Sequence, residues 1–168
     1  MQESTKEQLY EGIYKTIREV LPSDVEILHI SLTGSRSKGL ESPTSDYDVR
    51  VLILNPTESY LLSTFISHIK IKITYGGKDL EGQAWDFYHQ FLNLVIEGNE
   101  AIIHILKSEY VYTKSKELMQ AIWDIYEKCY EPSKVIQASY GLLIHYLKKH
   151  LKDPNELHDL RVSKDRKK

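Results

Sequence analysis

Two aspartates separated by a single residue are the part of this sequence best suited to chemistry. Asp46 and Asp48 begin a segment, 46–54, whose composition predicts a β-strand, so both side chains are expected on one face. Neighbouring carboxylates repel each other unless a cation neutralises them or one of them holds a proton. Hard carboxylate oxygens suit Mg²⁺ or Mn²⁺, which bind one or two carboxylates together with phosphates and water. The spacing therefore predicts a divalent-cation site at Asp46 and Asp48.

A glycine turn upstream supplies groups that suit a phosphate. Gly34-Ser35-Arg36 directly follows a predicted strand, 25–32. Glycine lets the backbone approach a phosphate closely, and the serine hydroxyl and the guanidinium can bond its oxygens. Arg50 shares the face of the two aspartates by the same alternation, and could clamp a carboxylate or reach a phosphate oxygen. Eleven positions separate Ser35 from the first aspartate, enough for a loop that brings the two strand ends side by side.

Each half of this pattern has a simpler interpretation. A Gly-Ser pair is usually only a turn, and two acids one residue apart usually mark a solvated strand end or loop. Their occurrence together, in the order strand, Gly-Ser-Arg, loop, Ser-Asp-Tyr-Asp, strand, favours a functional site over two unrelated turns.

The combined motif resembles the signature of the DNA polymerase beta-like nucleotidyltransferase superfamily. Within it, the sequence is similar to the group of YcgL-like and RNA-ligase-associated predicted nucleotidyltransferases. The motif residues are Gly34-Ser35-Arg36 and the stretch 45–50, and segment 85–106 resembles the helix that follows the catalytic sheet in this group. Segment 134–142 is similar to their next helix. The resemblance covers about residues 25–145 and is specific at 34–50.

This resemblance implies transfer of a nucleoside monophosphate from a nucleoside triphosphate (NTP) to an acceptor. Asp46 and Asp48 would hold two Mg²⁺ or Mn²⁺ ions as metal ligands and catalytic residues. The nucleotide-binding residues implied are Gly34, Ser35, Arg36, Ser45 and Arg50. The acceptor stays open among an RNA end, a small molecule and a protein hydroxyl.

The superfamily's third carboxylate has no obvious counterpart. It normally lies on a later strand, but the polar face of the alternating segment 68–75 carries Lys70 and Lys72. Asp79 is the preferred candidate, with Glu81 and Asp86 as alternatives, and a carboxylate that merely starts a helix is the simpler interpretation of all three. If none reaches the metals, the chain binds nucleotide without efficient transfer. The two lysines either face the cleft and attract phosphate or protect an exposed sheet edge.

Hydrophobic periodicity predicts an α+β fold: a minimal nucleotidyltransferase fold, with a small mixed sheet and flanking helices, followed by a helical C-terminal half. The expected domains are a catalytic core (1–82), a helical part packed on it (83–152) and a basic, flexible tail (153–168). The predicted strands are 25–32, 46–54 and 68–75, and the predicted helices are 5–21, 60–66, 83–97, 101–106, 115–129 and 132–151.

Composition sets the class of protein. Hydrophobic residues make up 41% and charged residues 27%, a balance typical of soluble globular domains, and no apolar run is long enough to span a membrane. The polar N-terminus and the single cysteine, Cys129, predict a cytoplasmic protein. A net charge of −2 gives no overall attraction to nucleic acid.

A Mg²⁺-dependent nucleotidyltransferase is therefore the leading hypothesis. The alternatives are a catalytically weak, nucleotide-binding regulatory or antitoxin-like module with the same fold, and a helical scaffold in which the acids form only a charged rim.

Overall fold

The structure, a computed structural model, describes residues 3–150 of the 168-residue chain. The predicted basic tail, 153–168, lies outside the described residues. The strands are β1 (Glu26–Leu32), β2 (Tyr47–Leu54), β3 (His68–Tyr75), β4 (Lys78–Asp86) and β5 (Tyr110–Thr113). The helices are α1 (Glu3–Val20), α2 (Gly34–Ser37), α3 (Thr57–Leu61), α4 (Leu92–Ile96), α5 (Glu100–Lys107), α6 (Lys116–Cys129) and α7 (Pro132–His150). A π-helical turn, Phe87–Phe91, leads into α4.

The strands form one mixed sheet in the order β3-β4-β2-β1-β5. β2 and β4 are parallel, and the other neighbouring strands run antiparallel. A mixed sheet flanked by helices confirms the predicted α+β class.

The two faces of the sheet are covered by different helices. On one face α1 buries Ile13 and Ile17 completely against Ile30, Val49 and Val51. On the other face the π turn and helices α4 to α6 form a second core, whose fully or almost fully buried members include Phe91, Val95, Ile102, Ile105 and Ile122.

The second core covers only one end of β2. Leu52 is buried in it, Arg50 is half-buried and Asp48 is exposed. Alternate residues of a strand share a face, so these three side chains lie on one face of β2 and become more exposed from Leu52 to Asp48. The predicted site residues therefore lie where helical cover stops.

The sequence prediction was wrong about where the sheet ends. Residues 83–86 were predicted to begin a helix, but they complete β4, and the ladder between β2 and β4 extends to the pair Ile53 and Asp86. Pairing on both sides of β4 outweighs the helical spacing of its aromatic residues. Neither β4 nor β5 was expected as a strand. The short helix predicted at 60–66 lies earlier in the chain: α3 is Thr57–Leu61, so the two ranges share only Tyr60 and Leu61. The chain after it turns at Ser63, whose φ of 56° is left-handed.

Strand β1 does not alternate strictly between the two faces of the sheet. The register with β2 shifts between Ile27 and His29, which is a β-bulge. Ile27 therefore packs in the α1-side core with Ile30, while Leu28 joins the opposite core.

The chain divides into two compact units, residues 1–130 and a second beginning at Glu131, of which α7 is the described part. The domain limits predicted at residues 82 and 152 stay a prediction, although β4 runs across the first of them. Among the described helices, none combines the length and the apolarity that a bilayer span requires.

Candidate nucleotide and metal site

The end of β1 and the start of β2 meet at the predicted motif. The two strands pair antiparallel, with Leu32 opposite Val49. One residue further, the Thr33 amide donates to the Asp48 carbonyl at 2.8 Å. Helix α2 then begins at once with Gly34. The glycine turn and the second aspartate therefore lie side by side, as the sequence analysis expected.

Gly34 is in direct contact with Asp48. Its φ is +66°, a conformation that residues with side chains rarely adopt. A Cβ built on Gly34 would lie 2.0 Å from Oδ2 of Asp48. Backbone geometry and lack of space thus both require glycine, and the carboxylate lies flush against the turn.

Arg36 holds the loop before β2 in place. Its Nε donates to the carbonyl of Asp46 at 3.0 Å, and its Nη2 donates to the carbonyl of Ser45 at 2.7 Å. The guanidinium carbon also lies 4.2 Å from the centre of the Tyr47 ring. Arg36 was predicted to bind a phosphate, but these contacts direct its guanidinium to the backbone that carries Asp46.

The hydroxyl of Ser45 is used within its own loop. It accepts from the Ser42 amide at 2.8 Å and lies 3.1 Å from the Ser42 hydroxyl, which in turn is 3.0 Å from that of Thr44. Ser35 contributes its carbonyl, which accepts from the amides of Lys38 and Leu40. Both predicted nucleotide-binding serines therefore help to shape the turns beside the aspartates.

Arg50 lies between the exposed acid and the core. Its guanidinium carbon is 5.1 Å from the centre of the Trp85 ring, and Nη1 donates to the Val49 carbonyl at 3.2 Å. Burial lowers the pKa of Arg50 from its usual value, while the nearby charge of Asp48 acts in the opposite direction. Arg50 remains a cation at neutral pH because even a lowered arginine pKa lies far above it.

A cavity of about 280 Å³ opens between the glycine turn, β2 and α5. Asp48 and Arg50 face it together, next to Gly34. The rest of the lining was not predicted, because no pattern in the sequence indicates that the Gly-Ser-Arg turn lies close to a helix some seventy residues later. These further residues are Thr33, Ser37, Lys38, Ala101 and His104.

Strand β4 places Glu81 beside Asp48. The two are partners in the parallel ladder, and Lys72 of β3 is the next partner of Glu81. Lys72 Nζ lies 2.7 Å from Glu81 Oε1. The hydrogen bond and charge of Glu81 raise the pKa of Lys72, with smaller contributions from Asp79 and Asp46. Glu81 is thus the β4 carboxylate aligned with Asp48. Asp79 lies two residues earlier on β4, nearer the start of the strand.

Asp86 is a structural residue. It is completely buried, and its carboxylate accepts from Asn55 Nδ2 at 2.8 Å, from the Tyr60 hydroxyl and from the His89 amide at 2.8 Å. The last of these bonds caps the π turn. These bonds occupy the carboxylate, and Asp86 pairs with Ile53, five residues along β2 from Asp48, so it is not placed to join the two aspartates at a metal.

Lysines on β3 lie on an edge strand of the sheet, and Lys70 and Lys72 are both exposed. Lys72 pairs with Glu81, the ladder partner of Asp48. Neither lysine lines the cavity, so an attraction of phosphate by these residues stays a prediction.

The two aspartates of the motif supply oxygen donors of the kind that a hard divalent ion prefers. Asp46 and Asp48 are both exposed, with Tyr47 buried between them, so neither carboxylate is used by the core. Within residues 3–150, no three acidic, histidine or cysteine side chains form a metal-binding group. Asp46 and Asp48 are therefore a candidate pair of metal ligands.

A search of solved structures gives distant matches. A nucleotidyltransferase-like protein from Exiguobacterium sibiricum is 12% identical, with a TM-score of 0.44 over 71% of this chain. This chain spans only 38% of the length of that protein. No curated protein sequence matches the chain significantly.

Family comparison gives a match over almost the whole sequence. The model of RlaP, described as the RNA repair pathway DNA polymerase beta family, matches residues 6–162. The match includes the glycine turn, both aspartates, the whole sheet and α5. The chain therefore belongs to the RNA repair pathway DNA polymerase beta family and is a DNA polymerase beta-like nucleotidyltransferase family member, as its motif predicted.

Proposed function

We propose that this chain is a Mg²⁺- or Mn²⁺-dependent nucleotidyltransferase that transfers a nucleoside monophosphate from an NTP to an RNA end. The observation that carries the proposal is the contact of Gly34 with Asp48, which sets a phosphate-binding turn directly against a metal-binding acid. Family membership supports the general reaction class, and the family's description favours RNA over a small molecule or a protein as acceptor.

Several polar groups in and beside the cavity would have a task in this reaction. Asp46 and Asp48 would hold the two cations, which neutralise the charge of the phosphates and of the departing pyrophosphate. The backbone at Gly34 and Ser35 would approach the triphosphate, and Lys38 and Arg50 would supply positive charge. Arg36 keeps Asp46 in position through the two carbonyls that it binds.

The chemical step exchanges one bond to phosphorus for another. The acceptor oxygen attacks the α-phosphorus in line with the leaving group, a new P–O bond forms, and the bond between the α-phosphorus and the bridging oxygen breaks. Pyrophosphate leaves with the bonding electron pair. The hydroxyl proton passes to a carboxylate near Asp48 and then to water.

We propose Glu81, ahead of Asp79, as that carboxylate. It is the β4 residue in register with Asp48, and on a parallel ladder such partners project from the same face. In the resting protein Lys72 pairs with Glu81, and this ion pair would open when acceptor and cations bind. Asp79 stays the alternative, because its charge also acts on Lys72.

One observation favours a second function. Glu81 is bound by Lys72, and the described acids do not form a three-carboxylate cluster. A chain that keeps this arrangement would bind nucleotide and serve as a regulatory or antitoxin-like module with little transfer.

Transfer of radiolabel separates the two functions. Each NTP is supplied with label at the α- or the γ-phosphate, with Mg²⁺ and RNAs bearing different ends. The transferase attaches α-label to RNA and releases γ-label as pyrophosphate, and Asp48→Asn lowers the rate at least about 100-fold. Nucleotide binding with no α-label in RNA identifies the regulatory module. No binding and no transfer overturns both.

A further inference from the structure

A second cavity, of about 370 Å³, lies on the same side of the sheet as the first. It opens between β1, β5, the end of α5 and the start of α6. Its volume falls in the range of roughly 300–1,000 Å³ that small-molecule sites occupy. The lining residues on which the inference depends are His29, Lys107, Ser108, Tyr110, Lys116 and Trp123.

The two cavities are separate but adjacent. Ala101 and His104 of α5 line the first cavity, whereas Lys107 at the end of the same helix lines the second. Asp48 and Arg50 belong only to the first. A ligand in the second cavity would therefore bind beside the triphosphate site without occupying it.

His29 is the unusual member of the lining. It is only 3% exposed, and neither ring nitrogen has a hydrogen-bond partner. Burial lowers its pKa to about 4, so at neutral pH the ring offers one N–H donor and one bare acceptor nitrogen. Buried polar groups without partners are rare and costly, and a bound ligand can supply what is missing.

The cavity has room for more than the waters that His29 would bind. One or two waters would satisfy the imidazole, and each takes about 30 Å³. The cavity has several times that volume. A larger partner carrying a donor or an acceptor would fill the room and bond one of the ring nitrogens.

The remaining lining indicates what kind of molecule fits. Trp123 and Tyr110 present aromatic surface, and Lys107 Nζ lies 5.5 Å from the centre of the Trp123 ring. Lys107 and Lys116 provide positive charge, and no acidic residue is among the lining residues. Aromatic walls suit a flat heterocycle, and the two lysines suit a phosphate.

We propose that this cavity binds a nucleotide, its base between Trp123 and His29 and its phosphate beside Lys107 and Lys116. The nucleotide is either a free mononucleotide or the terminal nucleotide of an RNA, since both present the same base and phosphate. Binding here does not require the transfer proposed above.

Nuclear magnetic resonance of the intact chain tests this site without the transfer reaction. The protein, labelled with ¹⁵N, is titrated with adenosine 5′-monophosphate in the absence of NTP and divalent ions. We expect saturable shifts of the Trp123 indole and of the His29 ring nitrogens, with the Gly34 amide unchanged. Adenosine, which lacks the phosphate, should bind about tenfold more weakly.

Variants separate the proposed contacts from general effects. Lys116→Gln should raise the Kd about tenfold, whereas Lys128→Gln, on the same helix but outside the lining, should leave it unchanged. His29→Phe keeps an aromatic ring of similar size and should abolish the shift of Trp123. Because Lys116 is exposed, its variant tests the site even if the His29 variant folds poorly.

A short 5′-phosphorylated oligonucleotide distinguishes the two sources of the nucleotide. The same shifts at a tenfold lower concentration identify an RNA end, and shifts with the mononucleotide alone identify a free nucleotide. No shift of Trp123 and His29 up to 10 mM of either probe, shifts at Gly34 alone, or equal affinity in Lys116→Gln would overturn the proposal.

Discussion

Residue 34 and Asp48 are so close that no side chain fits between them: a Cβ on Gly34 would lie 2.0 Å from the carboxylate oxygen Oδ2. The contact joins the end of β1 to the start of β2. A hydrogen bond from the Thr33 amide to the Asp48 carbonyl holds these two strand ends together. A turn able to approach phosphate and an acid able to hold a cation are thereby held together by the sheet itself.

Gly34→Ala should therefore remove nucleotide binding. The methyl group displaces the Asp48 carboxylate, and positive φ adds a destabilisation of about 1 kcal/mol. Gly39→Ala is the matched control, because Gly39 has a φ of +64° and nothing within 4 Å of its added Cβ. Thermal unfolding with and without NTP and Mg²⁺ measures both effects. Equal nucleotide stabilisation in the two variants would show that the contact is unimportant.

Arg36→Lys should behave almost like Arg36→Gln. One planar guanidinium binds the Ser45 and Asp46 carbonyls at once, which an ammonium group cannot reproduce. We expect each variant to lose about 1–2 kcal/mol of unfolding free energy and to bind the divalent ion more weakly. Denaturant unfolding and Mn²⁺ titration provide the measurements, with Lys128→Gln, outside the cavity lining, as a charge control. Full metal affinity in Arg36→Lys would argue against a positioning role.

The choice between Glu81 and Asp79 can be made by comparing three variants. Glu81→Gln removes a carboxylate and its ion pair, Lys72→Gln removes the ion pair alone, and Asp79→Asn leaves that pair intact. Transfer should fall at least about tenfold more in Glu81→Gln than in the other two. A larger loss in Asp79→Asn would return the role to Asp79, as the sequence analysis preferred.

Much of this site could be predicted because its key residues are close in the chain. Gly34, Asp46 and Asp48 belong to adjacent strand ends, where spacing alone predicts proximity. Glu81 was not preferred because β4 was not predicted as a strand, and the parallel register that aligns it with Asp48 joins residues thirty-three positions apart. The position of His104 at the cavity and the β-bulge at His29 depend on tertiary packing, and hydrophobic periodicity in the sequence does not predict them.

Asp86→Asn should destabilise the fold without changing the site. The carboxylate accepts three hydrogen bonds in a fully buried position, so we expect a loss of about 2–4 kcal/mol in unfolding free energy. Nucleotide affinity of the folded fraction should stay at the wild-type value. If stability were unchanged while transfer disappeared, Asp86 would instead be the third catalytic carboxylate.

His29 should make the protein sensitive to mild acid. Its pKa is about 4 in the folded chain and near 6.5 when unfolded, so the unfolded state binds more protons between these values. The titration of His29 therefore leaves the unfolding free energy unchanged above pH 6.5 and lowers it by about 3 kcal/mol as the pH drops from 6.5 to 4. Unfolding free energies of wild type and His29→Phe across this range measure the effect. The variant should lack this part of the decline, and parallel curves would contradict the assignment.

The central claim is that the Gly34 turn and the two aspartates bind a divalent ion together with a triphosphate. Mn²⁺ tests it most directly, because the ion broadens the resonances of nearby amides. With NTP present, the amides of Gly34, Ser35 and Asp48 should broaden at micromolar Mn²⁺, and Asp48→Asn should abolish the effect. If those amides stay sharp, or broaden equally in Asp48→Asn, the ion binds elsewhere and the account fails.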